Sequence, residues 1–530
     1  MTGVDDWFLT HAERGNPWTS IDDAVANGAA WTEGNRVAPL LHGGTYFERL
    51  CEELRTAGAG DSVWILDWRG DADERLDAST TLGSVLVGAL GRGADVRGLV
   101  WRSHPDEEKF NEQENAHLAK IVNEAGGEIL LDERVARFGS HHQKLVIVHR
   151  DDADRSVAFV GGIDLGHGRR DDASHLGDLQ AIELDERYGP TPAWHDAQLE
   201  VRGPAVADLA RTFRERWEDR TPLDHRNPIR DAIRHAVHEP RRPQALPPEA
   251  PPPGAADGVA VQVLRTYPSK RPPYPFARDG ERSTARAYIK AVRRARSFLY
   301  IEDQYLWSSD IAGVLASALY RSPELRLIAV VPRFPDRDGL LSGPMQRVGQ
   351  LEAVDLVRRV GGDRVGLFDI ENELGRPIYV HAKVCIVDDV WMTIGSDNLN
   401  VRSWTHDSEL TCALLDSELD DRDPADPGGR GDGARRLPRD VRLRLWHEHL
   451  AAPDDELLDP VRAFETWRQR AAALDAWHEG GRLGRRPPGR VRHHDPERVG
   501  KIASLWARPL HRFAVDPDGR PPALRRRHAF

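Results

Sequence analysis

Residues 380–398 read VHAKVCIVDDVWMTIGSDN, and this stretch decides the fold. His381 and Lys383 stand two apart, so on an extended strand both side chains leave the same face. Val384 to Val387 continue as a mostly apolar run, and Asp388 closes it. Six residues lead on to Gly395-Ser396-Asp397-Asn398. Such a run, ended by polar residues and followed by a turn, predicts a buried strand, a turn and a second strand. The polar residues suit a phosphate. An imidazole can attack phosphorus or move a proton near neutral pH. Lysine presents a compact positive charge to a phosphate oxygen. Glycine lets the backbone come close, and Ser396 and Asn398 add hydrogen-bond donors.

The first half of the chain holds the same spacing in SHHQKLVIV (140–148), with His142 and Lys144. Gly161-Gly162-Ile163-Asp164 stands where the second half has its Gly395 turn. The first motif departs at position 149, which is His where the second has Asp388; Asp151 and Asp152 lie just beyond and are candidates to replace it. Two imidazoles suit a phosphodiester reaction with a covalent intermediate, since one can attack while the other protonates the leaving oxygen.

The elements around the two motifs also repeat. A helix over 43–60 leads to a strand over 61–68, and a helix over 281–296 leads to a strand over 297–307. Helix-then-strand pairs follow at 80–101 and 115–131 in the first half, and at 311–331 and 346–369 in the second. Alternation of this kind predicts an α/β fold of two similar lobes, each a mixed sheet flanked by helices, with the active site where the lobes meet. The boundaries expected are a first lobe over 1–238, a proline-rich linker over 239–257, a second lobe over 258–450 and a basic extension over 451–530. DSELDDRDPADPGGRGDGARRLPRD (416–440) reads as a surface insertion.

Composition narrows the partners. The 530 residues carry a net charge of −12, which gives no global reason to bind nucleic acid. Three cysteines, Cys51, Cys385 and Cys412, are too few and scattered for a disulfide framework or a zinc site. No export signal or membrane-spanning stretch is visible, so a cytoplasmic protein is expected. The last 50 residues hold 13 Lys and Arg against four acids. That tail could meet anionic lipid headgroups at a membrane periphery or nucleic acid, or simply wrap the protein in solvent.

With both motifs in view, the chain resembles the phospholipase D superfamily, whose members carry two His-x-Lys-x4-Asp motifs. The likeness runs through most of residues 40–450. AFVGGIDLGHGRRDD (158–172), AWHDAQLEVRGPAVADLARTFRERW (193–217), VQVLRT (261–266), YIEDQYL (300–306) and LWHEHL (445–450) resemble landmarks of its phospholipid-cleaving branch. The resemblance implies His142 as nucleophile and His381 as general acid and then base. It implies Lys144, Lys383 and Asn398 as phosphate ligands, Ser396 as support for the turn, and Gly162 and Asp164 at the matching place in the first half. Asp388 is implied as scaffolding. Among the acids that orient the histidines, Asp196 is expected beside His142 and Glu409 beside His381. A monomer acting on a phospholipid, with no metal and no organic cofactor, is implied.

Two rival enzymes would use the same residues: a phosphatidyl transferase of the cardiolipin synthase type, and a nucleic acid phosphodiesterase. A lipid-binding pseudoenzyme is the non-catalytic alternative. Several other residues have plain readings. His141 is expected behind the site or at the surface, His447 and His449 on a helix surface, and His493 and His494 in solvent. Trp194, Trp217 and Trp446 read as packing, and Trp307 and Trp404 either as packing or as the substrate mouth.

Overall fold

The computed structural model describes residues 3–23, 29–102, 112–223, 243–336 and 342–530. The first half contributes β1 (Thr32–Leu41), β2 (Ser62–Asp67), β3 (Asp95–Trp101), β4 (Glu128–Asp132), β5 (Leu145–His149), β6 (Val157–Gly161), β7 (Ala193–His195) and β8 (Ala197–Arg202). The second contributes β9 (Val259–Tyr267), β10 (Glu281–Arg282), β11 (Phe298–Asp303), β12 (Arg326–Val330), β13 (Val365–Ile370), β14 (Ile378–Val380), β15 (Lys383–Val387), β16 (Trp391–Gly395), β17 (Glu409–Asp416) and β18 (Val491–His493). The helices expected before β2, β3, β4, β11, β12 and β13 are all present.

Strand order is the same in both halves. It runs β1-β8-β6-β5-β2-β3-β4 in the first and β9-β17-β16-β15-β11-β12-β13 in the second, with β18 added beyond β13. In each half the last three of those seven strands are parallel and the other neighbours antiparallel. The expectation of a separate sheet per lobe is corrected. β1 pairs antiparallel with β9, which joins the halves into one sixteen-stranded sheet. Each half would otherwise leave an unpaired edge at this strand, and pairing the two edges satisfies both.

Three clusters of buried side chains cover the sheet. One face carries a core common to both halves, from Leu66, Leu145 and Leu199 through Val263 and Val384 to Trp446 and Trp467. The helices Ala205–Trp217 and Arg436–Leu450 close this face. The opposite face carries a separate core for each half. The opening segment packs on the second half: Trp7, Phe8 and Leu9 are buried with residues of β9 and the helix Ser283–Arg294. Most of the linker, residues 243–256, has no regular structure, whereas 239–242 lie outside the described residues. The extension after residue 450 is partly core. Its helix Pro460–Glu479 buries Phe464 and Trp467, and β18 extends the sheet. Among the described residues, no helix is long and apolar enough to cross a membrane.

Candidate active site

His142 and Lys144 lie just ahead of β5, and His381 and Lys383 just ahead of and at the start of β15. Both strands are flanked by apolar neighbours in the middle of their half, so the polar ends are held rigidly. Each lysine folds back so that Nζ donates to the carbonyl of its own motif histidine, at 2.9 Å for Lys144 on His142; Lys383 makes the same bond to His381. Lys383 Nζ also lies 3.5 Å from Gln304 Oε1. An indole backs each pair: Trp68 beside His142 and Lys144, Trp194 at 4.8 Å from the His381 ring.

The acids are exchanged between the halves, which corrects the expected pairing. His381 Nδ1 is 2.6 Å from Asp196 Oδ2, and His142 Nδ1 is 2.9 Å from Glu409 Oε2. Two short parallel contacts produce the exchange. β7 pairs with β14 in the register Val380↔His195, and the His381 and Ala382 N–H groups donate to the His195 carbonyl at 2.8 and 3.1 Å. On the other side His141 bridges Ser408, and His142 N–H donates to the Ser408 carbonyl at 2.9 Å. Each acid begins or directly precedes a strand beside the join, so it reaches across to the other half's motif. With Nδ1 occupied, Nε2 is the reactive nitrogen of each ring. Side-chain exposure of 15% for His142 and 7% for His381 leaves both approachable.

The two pairs differ electrostatically. Burial alone would raise Asp196, but His381 and then Lys383 overcome it and hold the carboxyl at about 2. Burial, reinforced by Asp407, pushes Glu409 up to about 8 against the pull of Lys144 and the Ser396 hydroxyl. Burial and then Lys383 lower His381 to about 3, with Asp196 opposing. Burial, Lys144 and Lys383 together hold His142 well below the usual imidazole range. Burial brings Lys383 down to about 8 against the attraction of Asp196 and Asp303. A phosphate arriving here would meet two buried ammonium groups with little competition from water.

The remaining expected residues fall into definite places. Ser396 Oγ donates to Glu409 Oε2 at 2.5 Å and accepts from the Leu410 N–H at 3.0 Å, so it steadies the acid as well as the turn. Asn398 is buried with Oδ1 lacking a partner among the described residues. A Cβ at Gly162 would stand 2.3 Å from Asp196 Oδ1, so glycine is required for Asp196 to pass. Asp164 is buried in an ion pair with Arg169 at 3.0 Å. Asp388 is scaffolding: it accepts the N–H groups of Arg296, Ser297 and Phe298 at 2.7, 2.8 and 2.9 Å. In the first half Asp151 and Asp152 do not replace it, since both are exposed. Asp61, on the approach to β2, instead accepts from the Gly58 and Asp151 N–H groups, both at 3.1 Å. His149 lies against Trp64 at 4.4 Å between ring centres.

Other readings are also revised. His447 is on the helix surface as expected, but its neighbour two residues on, His449, is fully buried, with Nε2 at 2.7 Å from Glu302. His141 is buried behind the site, and His494 is buried beside Asp369 although His493 is exposed. Trp404 belongs to the core, packed on Tyr288, while Trp307 lines a cleft with Gln304, Tyr305, Phe334 and Tyr379. Sequence reasoning missed Asp67 and Asp303, the last residues of β2 and β11, which stand near Lys144 and Lys383 and whose carboxyls burial pushes well above the usual range. A signal was present, because both strands end in Asp directly before the turn, in ILDW (65–68) and IEDQ (301–304).

Two imidazoles held at Nδ1 by buried acids, each with an ammonium two residues on, are the equipment of a phosphodiesterase. Comparison with known proteins agrees. A family model described as Phospholipase D matches residues 72–314 and 370–480, and one described as Cardiolipin synthase, PLD-like domain matches 288–422. Phospholipase D alpha 2 of Oryza sativa subsp. japonica is 26% identical over 626 residues, covering 92% of this chain and 74% of its own length. Phospholipase D alpha 1 of Carica papaya is 25% identical, covering 79% of this chain and 66% of its own length, just under two thirds. Among solved structures, phosphatidylserine synthase of Haemophilus influenzae overlays 72% of this chain and 82% of its own, with 14% identity and a TM-score of 0.49. The chain belongs to the phospholipase D family and is a phosphodiesterase of that type.

Proposed function

We propose that the protein cleaves the headgroup phosphodiester of a glycerophospholipid, such as phosphatidylcholine, by two displacements at phosphorus. The observation that carries this reading is the exchanged pairing of His142 with Glu409 and His381 with Asp196. The ionised Asp196 opposes the lowering of His381, and the phosphate's own negative charge adds to that pull, so His381 takes up its proton as substrate binds, while Glu409, raised by burial, supports a neutral His142. His142 Nε2 then attacks phosphorus as the bond to the headgroup oxygen breaks, and His381 gives that oxygen its proton. Water next loses a proton to His381 and attacks phosphorus, the phosphorus–nitrogen bond breaks, and phosphatidate leaves. Lys144, Lys383 and Asn398 would hold the non-bridging oxygens throughout.

An alcohol that fits where the headgroup left can replace water in the second step. Ethanol or glycerol should therefore divert product to the phosphatidyl alcohol without slowing substrate consumption, and a substrate chiral at phosphorus should react with retention. Inversion would reject the covalent intermediate. His142→Ala and His381→Ala should each abolish turnover with the fold intact, and the double variant should be little worse, because the two rings act as one unit. Survival of more than roughly a tenth of turnover in either single variant would sink the two-histidine scheme. An acceptor alcohol that outcompetes water at low concentration would favour a phosphatidyl transferase, the reading suggested by the match to the cardiolipin synthase model.

A further inference from the structure

Behind Asp196 lies a second cluster that the phosphodiester chemistry does not use. His42, His175, His195 and Glu448 place one ligand atom each within 4.8 Å of the others. Glu448 is central: its oxygens lie 2.8 Å from His42 Nε2, 2.8 Å from His175 Nε2 and 3.6 Å from His195 Nδ1. The three imidazole rings stand 4.8 to 5.5 Å apart. Arg490 is the cation nearby, 3.5 Å from the same carboxylate.

Three features point to a ligand. First, the outer nitrogens of two rings are already committed. His175 Nδ1 is 3.1 Å from the Trp194 carbonyl, and His195 Nε2 is 2.8 Å from Oε2 of Glu302, whose other oxygen, Oε1, receives His449. Those bonds turn His175 Nε2 and His195 Nδ1 inward toward Glu448, where a metal can take the place of a proton, the arrangement by which carboxylates and carbonyls orient metal-binding histidines. Second, His195 Nδ1 is buried and has no hydrogen-bond partner among the described residues. Third, two of the histidines sit in strained backbone: His42 has φ 68° and ψ 151°, and His175 has φ 52°. The His42 conformation is one that glycine adopts and other residues take at a cost, so the rest of the fold holds the ring where it is. Gly43 permits it, since a Cβ there would stand 1.8 Å from the Arg169 carbonyl oxygen.

We propose that these four residues bind one zinc ion. Three nitrogens and one carboxylate oxygen suit a borderline divalent metal, whereas calcium and magnesium take oxygen ligands. Bonds of about 2.0 Å in a tetrahedron put ligand atoms about 3.3 Å apart, so small side-chain shifts complete the site. The ion replaces the protons that the histidines and Glu448 otherwise share. It would tie the end of β1, the 169–178 loop and β7 to the helix Arg436–Leu450, and so link the two halves. The His42 N–H donates to the Asp196 carbonyl at 2.9 Å and the His195 carbonyl accepts from His381, so the ion braces the acid–histidine pair without touching substrate.

The test uses the purified full chain, stripped with a strong chelator and titrated with zinc. One zinc per chain is expected, with a rise in Tm on rebinding. Cobalt in its place should show the strong visible absorption of a tetrahedral site. Glu302→Gln, which alters the group behind His195 and His449 and leaves all four ligands in place, should weaken zinc binding by roughly 10- to 100-fold, and His175→Ala and Glu448→Gln by more. If these variants fail to fold, the wild-type titration and the cobalt spectrum decide alone. Wild-type protein that takes up no stoichiometric zinc, or variants that keep it, would overturn the proposal and leave a hydrogen-bonded histidine network.

Discussion

Replacing Asp196 by Asn, beside Glu409→Gln, tests the exchanged acids most directly. Asp196 is buried, and its carboxyl is held at about 2 against an ordinary 3.8. At about 1.4 kcal/mol per unit, this is about 2.5 kcal/mol of preference for the charged carboxylate. If that preference sets how much of His381 carries the proton it must give to the leaving oxygen, its loss costs about a hundredfold in rate. Asn can also turn an amide N–H toward Nδ1 and impose the wrong tautomer, which costs about 10⁴ in a Ser-His-Asp triad. The expected fall in kcat is therefore between about 10² and 10⁴, with KM little changed. The informative assay varies the leaving group. Protonation by His381 matters for a choline-like alcohol and little for p-nitrophenol. The Asp196→Asn defect should shrink sharply with the p-nitrophenyl ester, whereas the Glu409→Gln defect, acting on the attacking His142, should persist with both. The opposite pattern would show that Glu409 serves the general acid and would refute the assignment of roles.

Two further outcomes follow from packing and burial. Gly162→Ala should lower kcat by roughly a hundredfold in folded protein, because the new methyl group, 2.3 Å from Asp196 Oδ1, must displace the acid from His381; a variant with normal kcat and a normal pH profile would contradict that geometry. Glu74 is buried with neither carboxylate oxygen hydrogen-bonded among the described residues, and burial together with Asp178 and Asp71 pushes it up to about 9. Below about pH 4.5 both folded and unfolded forms are protonated, but as pH rises the unfolded form ionises first and stability falls, by ~3 kcal/mol at neutral pH. Glu74→Gln should therefore raise Tm at about pH 7.5 and leave it unchanged near pH 4; an equal change at both would rule out this cause.

The sequence by itself determined the chemistry-bearing strands and the repeat. Period-two spacing alone puts His381 with Lys383 and His142 with Lys144 on one strand face, and the alternation of helix and apolar run set out both halves in order. These are local properties, carried by side chains a few residues apart. What only the tertiary structure decided is which distant groups meet. Asp196 lies closer in sequence to His142 and Glu409 closer to His381, yet β7 pairing with β14, and Ser408 bridging His141, send each acid to the other histidine. The joining of β1 to β9 and the burial of His449 beside Glu302 likewise escape a reading by spacing. Backbone pairing between remote strand ends sets those contacts, and no short-range pattern encodes which edge meets which. The gathering of His42, His175, His195 and Glu448 from four separate segments has the same origin.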